Sequence, residues 1–249
     1  MGKIIAIAGK GGVGKSTISS LLVRYLANTK CSVLAVDADP NSNLGDYLGF
    51  NAEQDIGKIV DEIGKKIDQI PLSMSKDEYI AYQVETTLGE AEGYDLITMG
   101  RPEGSGCYCY VNNVLRNVLS KLMSSYDYVV IDNEAGLEHL SRKTVKRIDT
   151  LLLVSDDTPQ GLKAAKRIYN LVNELKIEYR KICLVINKAR AKRQIDFPTE
   201  VTGFIFDDAE IIDYTQGKIA KLTEDNKLIK ETNELFSMIT ERSEPCLKN

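Results

Sequence analysis

Short apolar runs alternate with longer amphipathic stretches along this chain. The apolar runs lie at residues 3–8, 32–37, 94–100, 126–132, 150–155, 181–187 and 202–206. Their nearly continuous apolar character is typical of strands that are covered on both faces of a sheet. Because these runs alternate with helical patterns, the sequence predicts an α/β fold, a doubly wound and mostly parallel sheet of about seven strands.

Helical periodicity follows most of the predicted strands. It is clearest at residues 18–26, 161–176 and 224–242. Residues 51–93 carry many charges and no strong strand pattern, which predicts a helical insertion between the second and third strands. Since the chain has no internal repeat and no linker-like composition, we expect residues 1–249 to form a single domain.

The composition limits the partners that we expect for the protein. The 249 residues are 43% hydrophobic and carry a formal net charge of −4, so no overall positive field favours nucleic acid or anionic lipid. No apolar run approaches the ~20 residues that a membrane span needs. The first residues predict a strand rather than a signal peptide, and the cysteines are scattered. We therefore expect a cytoplasmic protein with no nucleic-acid or membrane partner.

A glycine-rich segment, GKGGVGKST, follows the first predicted strand and leads directly into a helix. It matches the G-x-x-x-x-G-K-[ST] pattern in the strand–loop–helix context in which that pattern binds nucleotide phosphates. Its glycines let the backbone aim N–H groups at phosphate oxygens, and the helix adds its positive end. Lys15 is predicted to reach the β- and γ-phosphates, and the Ser16 hydroxyl to bind Mg²⁺. The predicted nucleotide-binding residues of this segment are Gly9, Lys10, Gly11, Gly12, Val13, Gly14, Lys15, Ser16 and Thr17.

The lysine at position 10 makes this segment similar to the deviant Walker A motif of the MinD/ParA/nitrogenase-iron-protein class of ATPases. In that class the extra lysine reaches across a dimer interface to the partner's nucleotide. The resemblance implies an ATPase that forms a homodimer on binding ATP. Lys10 would neutralise transition-state charge only in the closed dimer.

Two acidic strand ends resemble further parts of the same class. Asp39, in the segment DADPNSN, resembles the switch I aspartate that orients the attacking water, so Lys10, Lys15 and Asp39 are the predicted catalytic residues. The segment YVVIDNEAG resembles the Walker B and switch II region. By this resemblance Asp132 would hold Mg²⁺ through water, and the Gly136 amide would sense the γ-phosphate.

The sixth predicted strand ends in LVINKAR, which bears on the choice of nucleotide. Asn187 resembles the asparagine with which this class reads adenine. The GTPase pattern requires an aspartate at position 190, where this chain has Arg190. ATP is therefore favoured over GTP.

Two cysteines, Cys107 and Cys109, lie one residue apart in GRPEGSGCYCYVNN, after the third predicted strand. A helical pattern starts near Asn112, so we expect an extended segment in which both thiols project to the same side. An adjacent helix N-terminus favours the thiolate form that binds metals. Two such pairs, brought face to face in a dimer closed around ATP, would supply four sulfurs for zinc, nickel or an iron–sulfur cluster.

These cysteines, the segment AGLEHLSR at residues 135–142 and the deviant Walker A motif look like the nickel-insertion accessory ATPases of carbon monoxide dehydrogenase and acetyl-CoA synthase, the CooC/AcsF type. The resemblance covers nearly the whole chain and is weakest in residues 51–93 and in the C-terminal tail. It implies that Cys107 and Cys109 bind Ni²⁺ at the dimer interface. It also implies that ATP binding and hydrolysis to ADP drive delivery of the nickel to a client metalloenzyme. The residue types alone leave Zn²⁺ possible.

Two other functions share the predicted nucleotide site. An electron donor like the nitrogenase iron protein would hold an iron–sulfur cluster between subunits, but the resemblance then requires a cysteine beside switch II, where this chain has NEAGLEHL. A ParA- or MinD-like positioning switch would need a basic DNA-binding surface or a basic, apolar terminal helix. The candidates for these features are NKARAKR, residues 187–193, and a C-terminal stretch of mixed charge.

Overall fold

Strands and helices alternate in a computed structural model that describes residues 2–39, 43–50, 55–66, 74–100, 109–134, 147–206, 219 and 222–241. The strands are β1 (Lys3–Gly9), β2 (Val33–Ala38), β3 (Gly89–Ala91), β4 (Tyr94–Thr98), β5 (Tyr128–Asn133), β6 (Ile148–Asp156), β7 (Tyr179–Ala189) and β8 (Val201–Phe206). The helices are α1 (Lys15–Asn28), α2 (Asn43–Leu48), α3 (Ile56–Lys66), α4 (Lys76–Glu85), α5 (Cys109–Ser124), α6 (Pro159–Glu174) and α7 (Lys227–Thr240).

All of these strands belong to one eight-stranded sheet with the order β3-β4-β2-β5-β1-β6-β7-β8. Neighbouring strands are parallel except β3, which runs antiparallel to β4. In such a sheet the carboxyl ends of the parallel strands meet at one edge, where doubly wound proteins bind their ligands. The connection from the central strand β1 to α1 crosses that edge.

Helices bury both faces of the sheet. On one face α1, α2 and α7 pack against the strands through residues such as Leu22, Leu44 and Phe236. On the other face α3, α4, α5 and α6 pack through residues such as Leu119 and Ile168. Strands β2 and β5 are buried along their whole length, which explains why their sequences show no polar alternation. No helix in the described part of the chain is long and apolar enough to cross a membrane.

The predicted fold class is confirmed, and the structure adds an eighth strand, β3, inside residues 51–93. The three residues of β3 show no apolar pattern, because this strand is formed by antiparallel pairing with β4 across a tight turn. Gly93 in that turn has a φ of 88°, a left-handed conformation that glycine adopts without a steric penalty. The described remainder of the insertion contains α3 and α4.

Helix α5 begins at Cys109 rather than near Asn112, so the expectation of extended backbone through Cys109 is wrong. The buried stripe of the helix already includes Val111, Val114 and Leu115. Val111 precedes Asn112 and belongs to this stripe, so the helical pattern starts earlier in the chain than the sequence indicated. Cys107 lies outside the described residues.

Candidate functional site

The glycine-rich segment forms the turn between β1 and α1 at the carboxyl edge of the sheet. Gly12 and Gly14 have φ values of 80° and 92°, which side chains disfavour. A Cβ at Gly9 would collide with the carbonyl oxygen of Val154, and a Cβ at Gly14 would collide with the Asn187 carboxamide. Close packing against β6 and β7 therefore requires glycine at positions 9 and 14, in addition to the phosphate chemistry expected from the sequence.

The first turn of α1 has backbone N–H groups that no side-chain cap in the described part of the chain satisfies. Gly14 is its N-cap residue, and no side chain of the described residues caps this helix end. The first N–H groups of a helix have no intrahelical acceptor, and they concentrate the positive end of the helix dipole. Lys15 is the first residue of α1 and is only 6% exposed. Uncapped amides beside a buried ammonium group fit an anionic phosphate.

Two carboxylates, Asp37 and Asp132, stand side by side at the ends of β2 and β5, where they are paired in register. Both residues are completely buried. The Ser19 hydroxyl donates a hydrogen bond to Asp132 Oδ1 at 3.0 Å. The Asp37 carboxylate accepts hydrogen bonds from the backbone N–H groups of Asp39 at 3.2 Å and Leu44 at 2.9 Å. Asp37 thereby holds both ends of the loop between β2 and α2.

The environment of these carboxylates fits a divalent cation. Burial, together with the charge of Asp132, raises the pKa of Asp37 to about 7. Burial also raises the pKa of Asp132 to about 6, against the lowering effects of the Ser16 and Ser19 hydroxyls and Lys15. No donor among the described residues makes a hydrogen bond to Asp132 Oδ2. A buried acceptor-only oxygen beside the Ser16 hydroxyl suits Mg²⁺ or its bound water, and a cation there would favour the ionised carboxylates.

The remaining predicted catalytic side chains surround this centre. Lys10 is an exposed residue of the phosphate-binding loop, and Asp39 is half-buried just beyond β2. The Asp39 charge makes a small contribution to the raised pKa values of both Asp37 and Asp132. Asp37 was not among the residues predicted from the sequence. The segment DAD contained the signal, because it places a second carboxylate two residues before Asp39, at the end of a buried strand.

Asn187 lies at the end of β7 and is 7% exposed. Its side-chain Nδ2 donates a hydrogen bond to the carbonyl oxygen of Val13 at 2.8 Å. The amide nitrogen is thus engaged with the phosphate-binding loop. A contact with the adenine amino group would use the amide oxygen, and this adenine-reading role stays a prediction.

The cysteine and switch II predictions fall largely outside the described part of the chain. Cys107 and Gly136 are not among the described residues. Cys109 is the first residue of α5. Helix α5 connects β4 to β5, and both strands run parallel to β2. Its N-terminus therefore lies at the same sheet edge as the phosphate-binding loop. Within the described ranges, no three His, Cys, Asp or Glu side chains gather into a group that could hold a metal.

Side chains of the basic segment NKARAKR form hydrogen bonds to other parts of the chain. Lys188 Nζ donates a hydrogen bond to the carbonyl oxygen of Gly12 at 3.1 Å. Arg193 donates two hydrogen bonds to Asp157 Oδ1, from Nε at 2.8 Å and from Nη2 at 2.6 Å. Two of the four cations in this segment, Lys188 and Arg193, therefore have partners within the chain.

Comparisons with known proteins agree with this geometry. Residues 2–185 match the model of a family described as an AAA domain. The chain is 41% identical to an uncharacterised ATP-binding protein of Methanocaldococcus jannaschii, over 95% of this chain and 98% of that protein. It is 33% identical to the carbon monoxide dehydrogenase accessory protein CooC of Rhodospirillum rubrum, over 84% of this chain and 80% of that protein. The MinD cell division protein of Aquifex aeolicus has the same fold, with a TM-score of 0.71, 19% identity and coverage of 99% of this chain and 100% of that one.

The family match extends over most of the chain, from β1 into β7. It includes the uncapped first turn of α1, the buried ammonium of Lys15 and the paired carboxylates. The protein is therefore a member of the AAA domain family, an ATP-binding P-loop protein with the MinD/ParA-like fold.

Proposed function

We propose that this protein is a cytoplasmic, Mg-ATP-dependent ATPase that dimerises on ATP and binds Ni²⁺ through Cys107 and Cys109. It would deliver the nickel to a metalloenzyme of the carbon monoxide dehydrogenase/acetyl-CoA synthase type. The observation that carries this proposal is the 33% identity to the accessory protein CooC over 84% of the chain. Nickel is the cargo in this reaction, and ATP supplies the free energy.

The nucleotide site supports the ATPase half of the proposal. The phosphates of ATP would lie against the first turn of α1, with Lys15 at the β- and γ-phosphates. Ser16 and, through water, Asp132 would hold Mg²⁺, which would supply charge neutralisation when bound. Asp39 would orient the attacking water from the loop that Asp37 holds at both ends.

The exposed position of Lys10 supports a dimeric mechanism. A lysine that acts on a partner's nucleotide must be accessible from outside its own subunit, and the exposure of Lys10 meets that requirement. In a closed dimer the ammonium group would meet the transferred phosphate of the partner. This would make hydrolysis depend on dimer closure.

The position of α5 supports coupling between nucleotide and metal. Its N-terminus shares the sheet edge with the phosphate-binding loop, so a dimer closed over this edge would bring two Cys-x-Cys segments toward each other. The positive end of a helix favours thiolates, which are suitable ligands for Ni²⁺. Buried Val111 fixes this first turn of α5 against the core.

Size-exclusion chromatography with in-line metal analysis tests the proposal. Wild type, Cys107→Ala/Cys109→Ala and the control Cys183→Ala are each loaded with Ni²⁺, with and without a non-hydrolysable ATP analogue. Cys183 is a free thiol buried in β7, so its loss controls for removal of a cysteine elsewhere. With the analogue we expect one Ni²⁺ per dimer in wild type and in the control, and a nickel-free dimer of the double variant.

Two results would contradict nickel delivery in different ways. A dimer whose nickel content is the same without Cys107 and Cys109 would leave a nucleotide-dependent switch ATPase. A brown, oxygen-sensitive dimer would indicate an iron–sulfur cluster, as in the nitrogenase iron protein. The DNA-partition alternative has less support, because Lys188 and Arg193 already bond within the chain.

A further inference from the structure

Strand β7 is irregular where it reaches the phosphate-binding loop. Its pairing with β8 shifts register between Ile186 and Ala189, whose partners are Phe204 and Phe206. One residue of β7 is therefore extra, as in a β-bulge. Lys188 lies inside this bulge with a φ of 55°, a left-handed conformation that residues other than glycine and asparagine rarely adopt.

The bulge places two consecutive side chains on the same loop. In a regular strand Asn187 and Lys188 would point to opposite faces of the sheet. Here Asn187 Nδ2 donates to the carbonyl oxygen of Val13 at 2.8 Å, and Lys188 Nζ donates to the carbonyl oxygen of Gly12 at 3.1 Å. Bulges commonly re-aim a side chain beside a functional site, and this one re-aims Lys188.

The two hydrogen bonds act on the part of the loop that must present its amides to phosphate. Each peptide group is planar, with its N–H and C=O pointing in opposite directions. A carbonyl that is held toward β7 therefore turns the N–H group of the following residue away from β7. For the carbonyl groups of Gly12 and Val13, these N–H groups belong to Val13 and Gly14.

We propose that Lys188 is a positioning residue for the phosphate-binding loop, which it holds, together with Asn187, in the conformation that binds the β-phosphate. Lys188 does not contact the nucleotide in this account. It lowers the cost of ordering a loop that contains four glycines at positions 9, 11, 12 and 14, because glycine backbone loses the most freedom when it is fixed. The inference rests on nucleotide binding and not on nickel delivery.

The test uses variants that separate positioning from folding. Lys188→Gly removes the ammonium group, and glycine adopts the left-handed backbone without strain. The substitution should therefore not lower the thermal stability through strain. Lys188→Arg keeps a cationic donor. Lys192→Ala is the matched control, because Lys192 is an exposed lysine of the following loop. The affinities of ADP and of inorganic tripolyphosphate are measured by competition against a fluorescent ADP analogue, alongside the melting temperature.

We expect Lys188→Gly to raise the Kd of ADP and of tripolyphosphate by the same factor, about fivefold, as the loss of one hydrogen bond predicts. Its melting temperature should not fall, Lys188→Arg should recover most of the affinity, and Lys192→Ala should match wild type. Unchanged affinity in Lys188→Gly would overturn the proposal. Weaker ADP binding with unchanged tripolyphosphate binding would also overturn it, because Lys188 would then act on the base. None of these outcomes depends on nickel, so a failure here is distinct from a failure of nickel delivery.

Discussion

Helices α1 and α6 begin at the same sheet edge, after the neighbouring parallel strands β1 and β6, yet their first turns differ. The first turn of α6 has a side-chain cap and a proline at its first position. The Thr158 hydroxyl accepts a hydrogen bond from the Gly161 N–H at 3.0 Å, and Pro159 occupies a position where no N–H donor is needed. The first turn of α1 has neither feature.

The difference shows what each helix end does. A capped end stabilises the fold, typically by about 1 kcal/mol. The uncapped end of α1, with Lys15 buried in it, lacks that stabilisation and keeps its donors available for an anion. A phosphate group bound there would accept hydrogen bonds from N–H groups that no side chain among the described residues caps. Substitutions at the α1 end should therefore change nucleotide affinity, and substitutions at the α6 end should change stability.

The largest effect should come from the ammonium group at the α1 end. Lys15→Ala removes a charged donor, and we expect the affinity for ATP to fall by about 100-fold or more. The control Lys163→Ala removes an exposed lysine near the start of α6 and should leave affinity unchanged. Isothermal titration with Mg-ATP measures both. Equal affinities for Lys15→Ala and wild type would show that the α1 end is not the phosphate site.

A smaller effect should come from the backbone of the same turn. Gly14→Ala places a Cβ against the Asn187 carboxamide at a φ of 92°, so it combines steric overlap with left-handed strain of about 1–2 kcal/mol. Gly12→Ala has similar strain, with a φ of 80°, but open space around its Cβ. We expect both variants to be less stable in chemical denaturation, with the larger loss in Gly14→Ala. Equal losses would mean that contact with β7 does not constrain the turn.

The smallest effect should come from the capped end. Thr158→Ala leaves the Gly161 N–H without its acceptor, and we expect a loss of about 1 kcal/mol in the free energy of unfolding. The affinity for ATP should not change. Denaturant titration and nucleotide titration of the same variant test both halves of this statement. A loss of ATP affinity equal to the loss of stability would remove the distinction between the two helix ends.

The sequence predicted most strands and the phosphate-binding loop, because their information is local. Continuous apolar runs identify buried strands, and a glycine-rich turn followed by Lys15 identifies the phosphate-binding loop. Strand β3 was missed because its three residues show no apolar pattern and depend on pairing with β4.

Two features of the site were missed for different reasons. Asp37 was recognisable, because it is a second carboxylate two residues before Asp39, at the end of a buried strand. The role of Lys188 was not, since its bond to Gly12 joins residues 176 positions apart and depends on a bulge. Contacts of this kind follow from tertiary packing, which local patterns do not encode.

We propose that ATP binding at α1 and nickel binding at Cys107 and Cys109 are coupled through the dimer. The most direct test is the Kd of Ni²⁺ with and without a non-hydrolysable ATP analogue, in wild type and in Lys10→Ala. We predict that the analogue tightens nickel binding at least about tenfold in wild type, and that this gain is lost in Lys10→Ala although that variant still binds ATP. A nickel Kd that is the same with and without the analogue would contradict the claim.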